Sequence, residues 1–308
     1  MRHVNMSHPR IKGVLPPMIT PFLENGDVDF EGFAKNVRKW NGTGLTGYLV
    51  NGSNSETAYL NEEEKLELLR LTVKNAAAGR HVMAGTGMES TRETIRFTNI
   101  CAKLGAQTAL VLTPCYYGGS MTSAALIDFF TQVADASEIP VLIYNVPKFT
   151  HVNIKADAVA ALAKHPNILG MKDSTGDIPQ LVSFLNASEG QDFQIMVGTA
   201  SAWYPALAIG IETAILALAN CHPDECAAVQ TAFDAKNLAR ASGIYKTMFP
   251  VNTAVTATYG IAGLKAACDR KGYVGGYVRS PLLNNSADER RAVEKIIADA
   301  ERKLVNLA

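Results

Sequence analysis

TAILALAN, residues 213 to 220, is the last of eight short apolar runs in this sequence, and it decides how the other seven are read. Before it come GVLPPMITP (13–21), GYLVNG (47–52), HVMAGTG (81–87), ALVLTP (109–114), VLIYNVP (141–147), ILGMKDS (168–174) and QIMVGT (194–199). The runs are continuously apolar rather than alternating, which marks strands covered on both faces, as in a parallel sheet wrapped by helices. An open doubly wound sheet gives a similar string of alternating elements. The eighth repeat favours a (β/α)8 TIM barrel.

The segments between the runs carry helix signals. Asn61 with Glu64, and Ser90 with Glu93, read as capping boxes. Phe30, Phe33, Val37 and Trp40 share one helical face, as do Leu126, Phe129, Phe130 and Val133. Gly105 stands where the helix begun near Ser90 should stop, a position that favours a residue tolerant of positive φ. Beyond Asn220 the strands cease and the pattern turns helical, interrupted by GYVGGYVRSP (272–281). The expected organisation is a barrel over 1–221 and a C-terminal helical extension, 222–308, packed on it.

With 308 residues, 47% hydrophobic and 19% charged, the chain can bury a large core. Its net charge is zero and no basic cluster stands out, which disfavours nucleic acid and anionic membranes as partners and favours a small molecule. Five cysteines at irregular spacings suggest no disulfide framework and a reducing compartment. The opening MRHVNMSHPR lacks the apolar core of a signal peptide and no run is long enough to span a bilayer, so a cytoplasmic location is expected.

Active sites of such barrels lie at the carboxyl ends of the strands, and three ends are unusual. Lys172 lies inside the sixth apolar run, where desolvation would lower its pKa and leave a neutral amine able to attack a carbonyl; the alternative is a lysine that reaches the rim and snorkels to solvent. Tyr144 ends the fifth run, where a phenol can relay protons, unless it is a core tyrosine with a backbone partner. NGSNSET after the second run is rich in backbone N–H groups and short polar side chains, which suits a carboxylate and equally suits an ordinary polar turn.

Together these residues resemble the dihydrodipicolinate synthase and N-acetylneuraminate lyase superfamily over essentially the whole chain. The resemblance rests on YNVP (144–147) followed by GMKDS (170–174), with an offset of 28 between Tyr144 and Lys172 (172 minus 144), and on GSN (52–54), TPCYY (113–117) and LAN (218–220). It implies a class I aldolase or lyase in which Lys172 forms an imine with pyruvate or a larger 2-oxo acid and Tyr144 shuttles protons. It places Ser53 and Asn54 at the 2-oxo carboxylate, the Ile215 carbonyl in the pyruvate pocket, and Tyr116 as a tyrosine lent across a subunit interface, which implies a homo-oligomer, a dimer or tetramer. Ser174 resembles a further polar group of the more specific aldolases.

Two departures narrow the substrate. The synthases of the family usually carry an Arg shortly after YNVP, where this chain has Phe149, which cannot hold a second carboxylate in a bidentate grip. They also carry two hydroxyl residues after the second strand, where this chain has Ser53 and Asn54. GSN, TPCYY, SAALI (123–127), GMKDS and YGIAGLK (259–265) look most like the 4-hydroxy-2-oxoglutarate aldolase branch, although Ser55 and His151 stand where glycines are common. The expected reaction is cleavage of 4-hydroxy-2-oxoglutarate to pyruvate and glyoxylate. Alternatives are dihydrodipicolinate synthase, N-acetylneuraminate lyase, a 2-keto-3-deoxy sugar acid aldolase or dehydratase, and a non-catalytic 2-oxo-acid sensor.

No cofactor or metal is expected. AGTG (84–87) reads as a tight turn rather than a phosphate loop, and His3, His8, His81, His151, His165 and His222 show no ligand spacing. Lys265 reads as a surface residue, Asp173 as a structural partner on the far side of its strand, and Cys115 as a thiol lacking a base.

Overall fold

A computed structural model describes residues 10–305; His3 and His8 lie outside them. The eight apolar runs become β1 (Gly13–Leu15), β2 (Gly47–Val50), β3 (His81–Gly85), β4 (Thr108–Leu112), β5 (Val141–Asn145), β6 (Ile168–Asp173), β7 (Gln194–Val197) and β8 (Thr213–Ile215). They form one eight-stranded sheet in the order β1-β8-β7-β6-β5-β4-β3-β2. Leu216 N–H donates to the Leu15 carbonyl at 3.0 Å and Thr46 N–H to the Val14 carbonyl at 3.0 Å, so β1 is bonded towards both β8 and β2. This is the strand order of a (β/α)8 barrel, as the sequence predicts.

The helices are α1 (Phe30–Trp40), α2 (Glu62–Asn75), α3 (Thr91–Lys103), α4 (Ser123–Ala136), α5 (Pro147–Thr150), α6 (Ala156–Leu162), α7 (Ile178–Ala187), α8 (Trp203–Ala208), α9 (Pro223–Asp234), α10 (Leu238–Thr253), α11 (Gly260–Arg270) and α12 (Ala287–Val305). Among the described residues no helix is long and apolar enough to cross a membrane. None of the five cysteines, all among the described residues, is in a disulfide.

Contacts divide the chain into two compact units. The first comprises Val82–Thr213 with the stretch ending at Lys12. Here β3 to β7 pair in parallel, and the apolar face of α4 buries Leu126, Phe129, Phe130 and Val133. Ser90 caps α3 by accepting from Glu93 N–H at 3.3 Å, but only half of the expected box forms: the Glu93 carboxylate takes Arg96 at 2.7 Å instead. An exposed ion pair one turn along competes with a return bond to the backbone, and here it wins. Gly105 follows α3 with φ +102°, the conformation its position called for.

The second unit comprises Gly13–His81 with Ala214–Ala308, so α9 to α12 cluster with β1, β2 and β8. Asn61 and Glu64 form the full capping box of α2, and α1 buries Phe33, Val37 and Trp40. Asn220, fully buried after β8, accepts from Ile19 N–H at 3.0 Å and donates to the Pro17 carbonyl at 3.0 Å, joining the turns that follow β8 and β1. One expectation fails in this unit. Lys265, read from its sequence as a surface residue, is 1% exposed. Its aliphatic neighbours Leu264, Ala266 and Ala267 are buried as well, because α11 is covered all round rather than along one stripe, and the ammonium finds its counter-charge in the turn after β2.

Candidate active site

The pairing register of β5 with β6 sets Tyr144 directly beside Lys172 and Asn145 directly beside Asp173. Side chains alternate along a strand, so the first pair shares one face of the sheet and the second pair the other. Lys172 is 2% exposed and Tyr144 6% exposed, and the Lys172 Nζ lies 4.2 Å from the centre of the Tyr144 ring. Among the described residues Lys172 takes part in no ion pair. The amine is thus held against an aromatic face, with its register partner Met196 fully buried on β7.

Space for this amine depends on Gly198, just beyond β7. A Cβ there would fall 2.9 Å from the Lys172 Cε and still closer to the Ser174 hydroxyl. Ser174 sits one residue past the end of β6 with its hydroxyl 3.5 Å from the Gly198 carbonyl, so it borders the lysine. The sequence singled out Lys172 and Ser174 but not Gly198, whose role emerges only from the closeness of β6 and β7.

The opposite face is a closed hydrogen-bond network. Asp173 accepts from Asn145 Nδ2 at 2.7 Å, from Gln180 Nε2 at 3.0 Å, and from the Thr175 N–H at 3.0 Å and hydroxyl. Asn145 Oδ1 accepts from Ile154 N–H at 3.0 Å. These bonds lock the ends of β5 and β6 to each other from behind, which fixes the residues on the front. Asp173 is the structural partner that alternation predicts.

After β4, Glu89 reaches across to accept from Cys115 N–H at 3.0 Å, Tyr116 N–H at 2.9 Å and the Cys115 thiol at 3.2 Å. Partial burial works against the Glu89 charge, yet these donors hold its carboxyl below the ordinary value. Burial and the adjoining carboxylate push the Cys115 thiol up to about 11. Cys115 therefore has a partner that the sequence did not reveal, but one that suppresses the thiolate. The clamp presents Tyr116, 79% exposed, edge-to-face with Tyr117 at 5.0 Å. Phe149, on the short α5, is 56% exposed with the Lys148 ammonium 5.6 Å from its ring. His222 lies buried beside Cys221, Nδ1 to Sγ 3.2 Å.

In the second unit, Ser53 and Asn54 occupy a tight turn after β2, both half-buried, and Ile215 is fully buried as the last residue of β8. Glu56 closes the turn by donating its N–H to the Ser53 carbonyl at 3.1 Å. It does so at φ +56°, a left-handed conformation that costs a non-glycine residue on the order of 1–3 kcal/mol. Its carboxylate meets the Lys265 Nζ at 2.6 Å and accepts Arg279 N–H at 2.8 Å. Burial pushes the Lys265 ammonium down to about 8, and the Glu56 charge pulls the other way.

The fold is thus a parallel (β/α)8 barrel that buries a lysine against a tyrosine at the carboxyl ends of adjacent strands, the end at which barrel enzymes carry their active sites. The chain belongs to the dihydrodipicolinate synthetase family, whose sequence profile matches residues 10–300. Members of that family are aldolases and lyases of Schiff-base type. The chain is 32% identical over 290 residues to the 4-hydroxy-tetrahydrodipicolinate synthase of Methanoculleus marisnigri, covering 94% of this chain and 99% of that one. It is 35% identical over 289 residues to the enzyme of the same name from Ruegeria pomeroyi, covering 94% and 98%. The crystal structure of the chloride-inhibited dihydrodipicolinate synthase from Acinetobacter baumannii in complex with pyruvate aligns with a TM-score of 0.87 at 27% identity, over 95% and 99% of the two chains. A pyruvate complex of a prophage protein of the dihydrodipicolinic acid synthase family from E. coli K12 aligns at 0.89 with 25% identity, over 95% and 99%.

Proposed function

We propose that Lys172 attacks the C2 carbonyl of pyruvate and holds it as an imine. The observation that carries this reading is the buried Lys172 amine packed on the Tyr144 ring, free of any ion pair among the described residues, in a fold whose neighbours include pyruvate complexes. Attack gives a carbinolamine; Tyr144 donates a proton as water leaves, and the protonated imine then stabilises loss of a C3 proton to form an enamine. The enamine carbon adds to an aldehyde, or in reverse an aldol bond breaks and the iminium accepts its electron pair. Hydrolysis releases the product and restores the amine.

Ser53 and Asn54 hold the 2-oxo carboxylate through the donors of their turn, the Ile215 carbonyl lines the same pocket, and Ser174 contacts the bound acid beside Lys172. Tyr116, exposed on one chain, reaches the site of a second copy and extends the proton relay; sedimentation as a dimer or tetramer is the corresponding expectation.

The aldehyde partner follows best from the relatives, which are named 4-hydroxy-tetrahydrodipicolinate synthases. Adding water across the ring imine of that product and then removing pyruvate leaves a four-carbon amino acid with a terminal aldehyde, aspartate 4-semialdehyde. Phe149 favours a second reading, the cleavage of 4-hydroxy-2-oxoglutarate to pyruvate and glyoxylate, because a phenyl ring offers no grip on the amino acid's carboxylate. Parallel assays separate them. The first reading expects pyruvate-dependent consumption of aspartate 4-semialdehyde at a higher kcat/KM than 4-hydroxy-2-oxoglutarate cleavage. Cleavage alone would establish the second, and failure of the protein to act on pyruvate with either partner would remove both.

A further inference from the structure

We infer that the buried Glu56–Lys265 pair is a positioning device for the turn at Ser53 and Asn54, and that it sets the affinity of the site for a 2-oxo carboxylate. The inference rests on the reading above that this turn holds the carboxylate. Neither residue touches the ligand.

The case begins with backbone geometry. Donor groups on a short turn bind an anion only if the turn keeps its shape, and this one ends on a residue in a conformation that a side chain disfavours. Glu56 holds that conformation while its own N–H closes the turn on Ser53. Something must hold it there. Its carboxylate is fixed at two points: one oxygen lies 2.6 Å from Lys265 on α11, and the other accepts from Arg279 N–H at 2.8 Å.

The anchors are themselves rigid. The Lys265 ammonium also donates to the Tyr277 carbonyl and lies 4.5 Å from the centre of the Phe22 ring. The Arg279 guanidinium donates to the Tyr59 carbonyl at 2.8 Å and pairs with Glu64 at 2.6 Å, gripping the chain just after the turn. Ser55, between Asn54 and Glu56, donates to the Met18 carbonyl at 2.6 Å. The side chains of Ser55 and Glu56 thus anchor the residues that directly follow Ser53 and Asn54. The pair has side-chain exposures of 0% for Glu56 and 1% for Lys265, and replacing such a pair by neutral residues of like volume is often tolerated by the fold. A buried ion pair kept for stability alone would therefore be replaceable; one kept for geometry would not.

The test is borohydride trapping of pyruvate on Lys172 as a function of pyruvate concentration, in the full chain and in Glu56→Gln/Lys265→Met. The double variant is expected to melt cooperatively and to reach the same maximal trapping, with the half-saturating pyruvate concentration raised about tenfold or more. Glu56→Asp, which keeps both charges but shortens the reach, provides the second variant should the first not fold; at least a twofold rise is expected. An unchanged half-saturation in either folded variant overturns the positioning role while leaving the imine chemistry intact. Absence of any Lys172 adduct in the unsubstituted protein overturns the underlying reading instead.

Discussion

Two lysines are buried among the described residues, and their surroundings differ in the one respect that matters for chemistry. Lys265, inside α11, has a carboxylate at 2.6 Å, a backbone carbonyl as acceptor and the Phe22 ring 4.5 Å away. Lys172, at the end of β6, has an aromatic face at 4.2 Å and takes part in no ion pair among the described residues. An amine that is ion-paired is committed to holding something in place; an amine kept apart from carboxylates is available to a carbonyl. Burial alone therefore does not identify a nucleophilic lysine. The partner does.

Substitution should separate the two positions. Lys172→Ala is expected to abolish turnover and trapping while leaving the protein at least as stable as before, since a buried amine is lost without stranding a counter-charge; activity above a few per cent would break the contrast. Next in size, Tyr144→Phe should keep the ring against Lys172 and lower kcat by roughly 10²–10⁴-fold through loss of the proton relay. Unchanged turnover would remove Tyr144 from it.

The same operation on the other lysine should act on the fold. Lys265→Met strands Glu56 as a buried charge and is expected to cost about 3–5 kcal/mol by denaturant titration, most of it recovered when Glu56→Gln is added. A single variant as stable as the double one would mean that the pair is not coupled.

A half-buried base, His81, sharpens the comparison at smaller scale. Burial pushes the His81 imidazole from 6.5 down to about 4, so the folded protein resists a proton that the unfolded chain accepts. Stability should thus be fully present above pH 6.5 and fall as the pH drops from 6.5 towards 4, by up to about 3 kcal/mol at roughly 1.4 kcal/mol per pH unit. His81→Gln should flatten that slope, and an unaltered slope would place the acid sensitivity elsewhere.

What the sequence disclosed and what it withheld follow the same divide between local and distant partners. The eight strands were legible because each is a short run with its own composition, and the Tyr144/Lys172 pair because its offset resembles that of a known family. Lys265 was misread because its aliphatic neighbours suit either a snorkelling lysine or a buried one, and the residue that decides, Glu56, lies in the second βα turn. Gly198 and the Glu89 clamp on Tyr116 were invisible for a like reason: each acts on a residue of a neighbouring strand or loop, and only the pairing register brings them together. Glu93 shows the converse, a local motif present in the sequence and only half used, because Arg96 competes for the carboxylate.

The central claim, that Lys172 and not Lys265 is the carbonyl-directed amine, is tested most directly by reducing the protein with borohydride in the presence of pyruvate and mapping the adduct by peptide mass spectrometry. A single stable adduct on the peptide containing Lys172 is the predicted result. An adduct on Lys265, or none on folded and active protein, would contradict it.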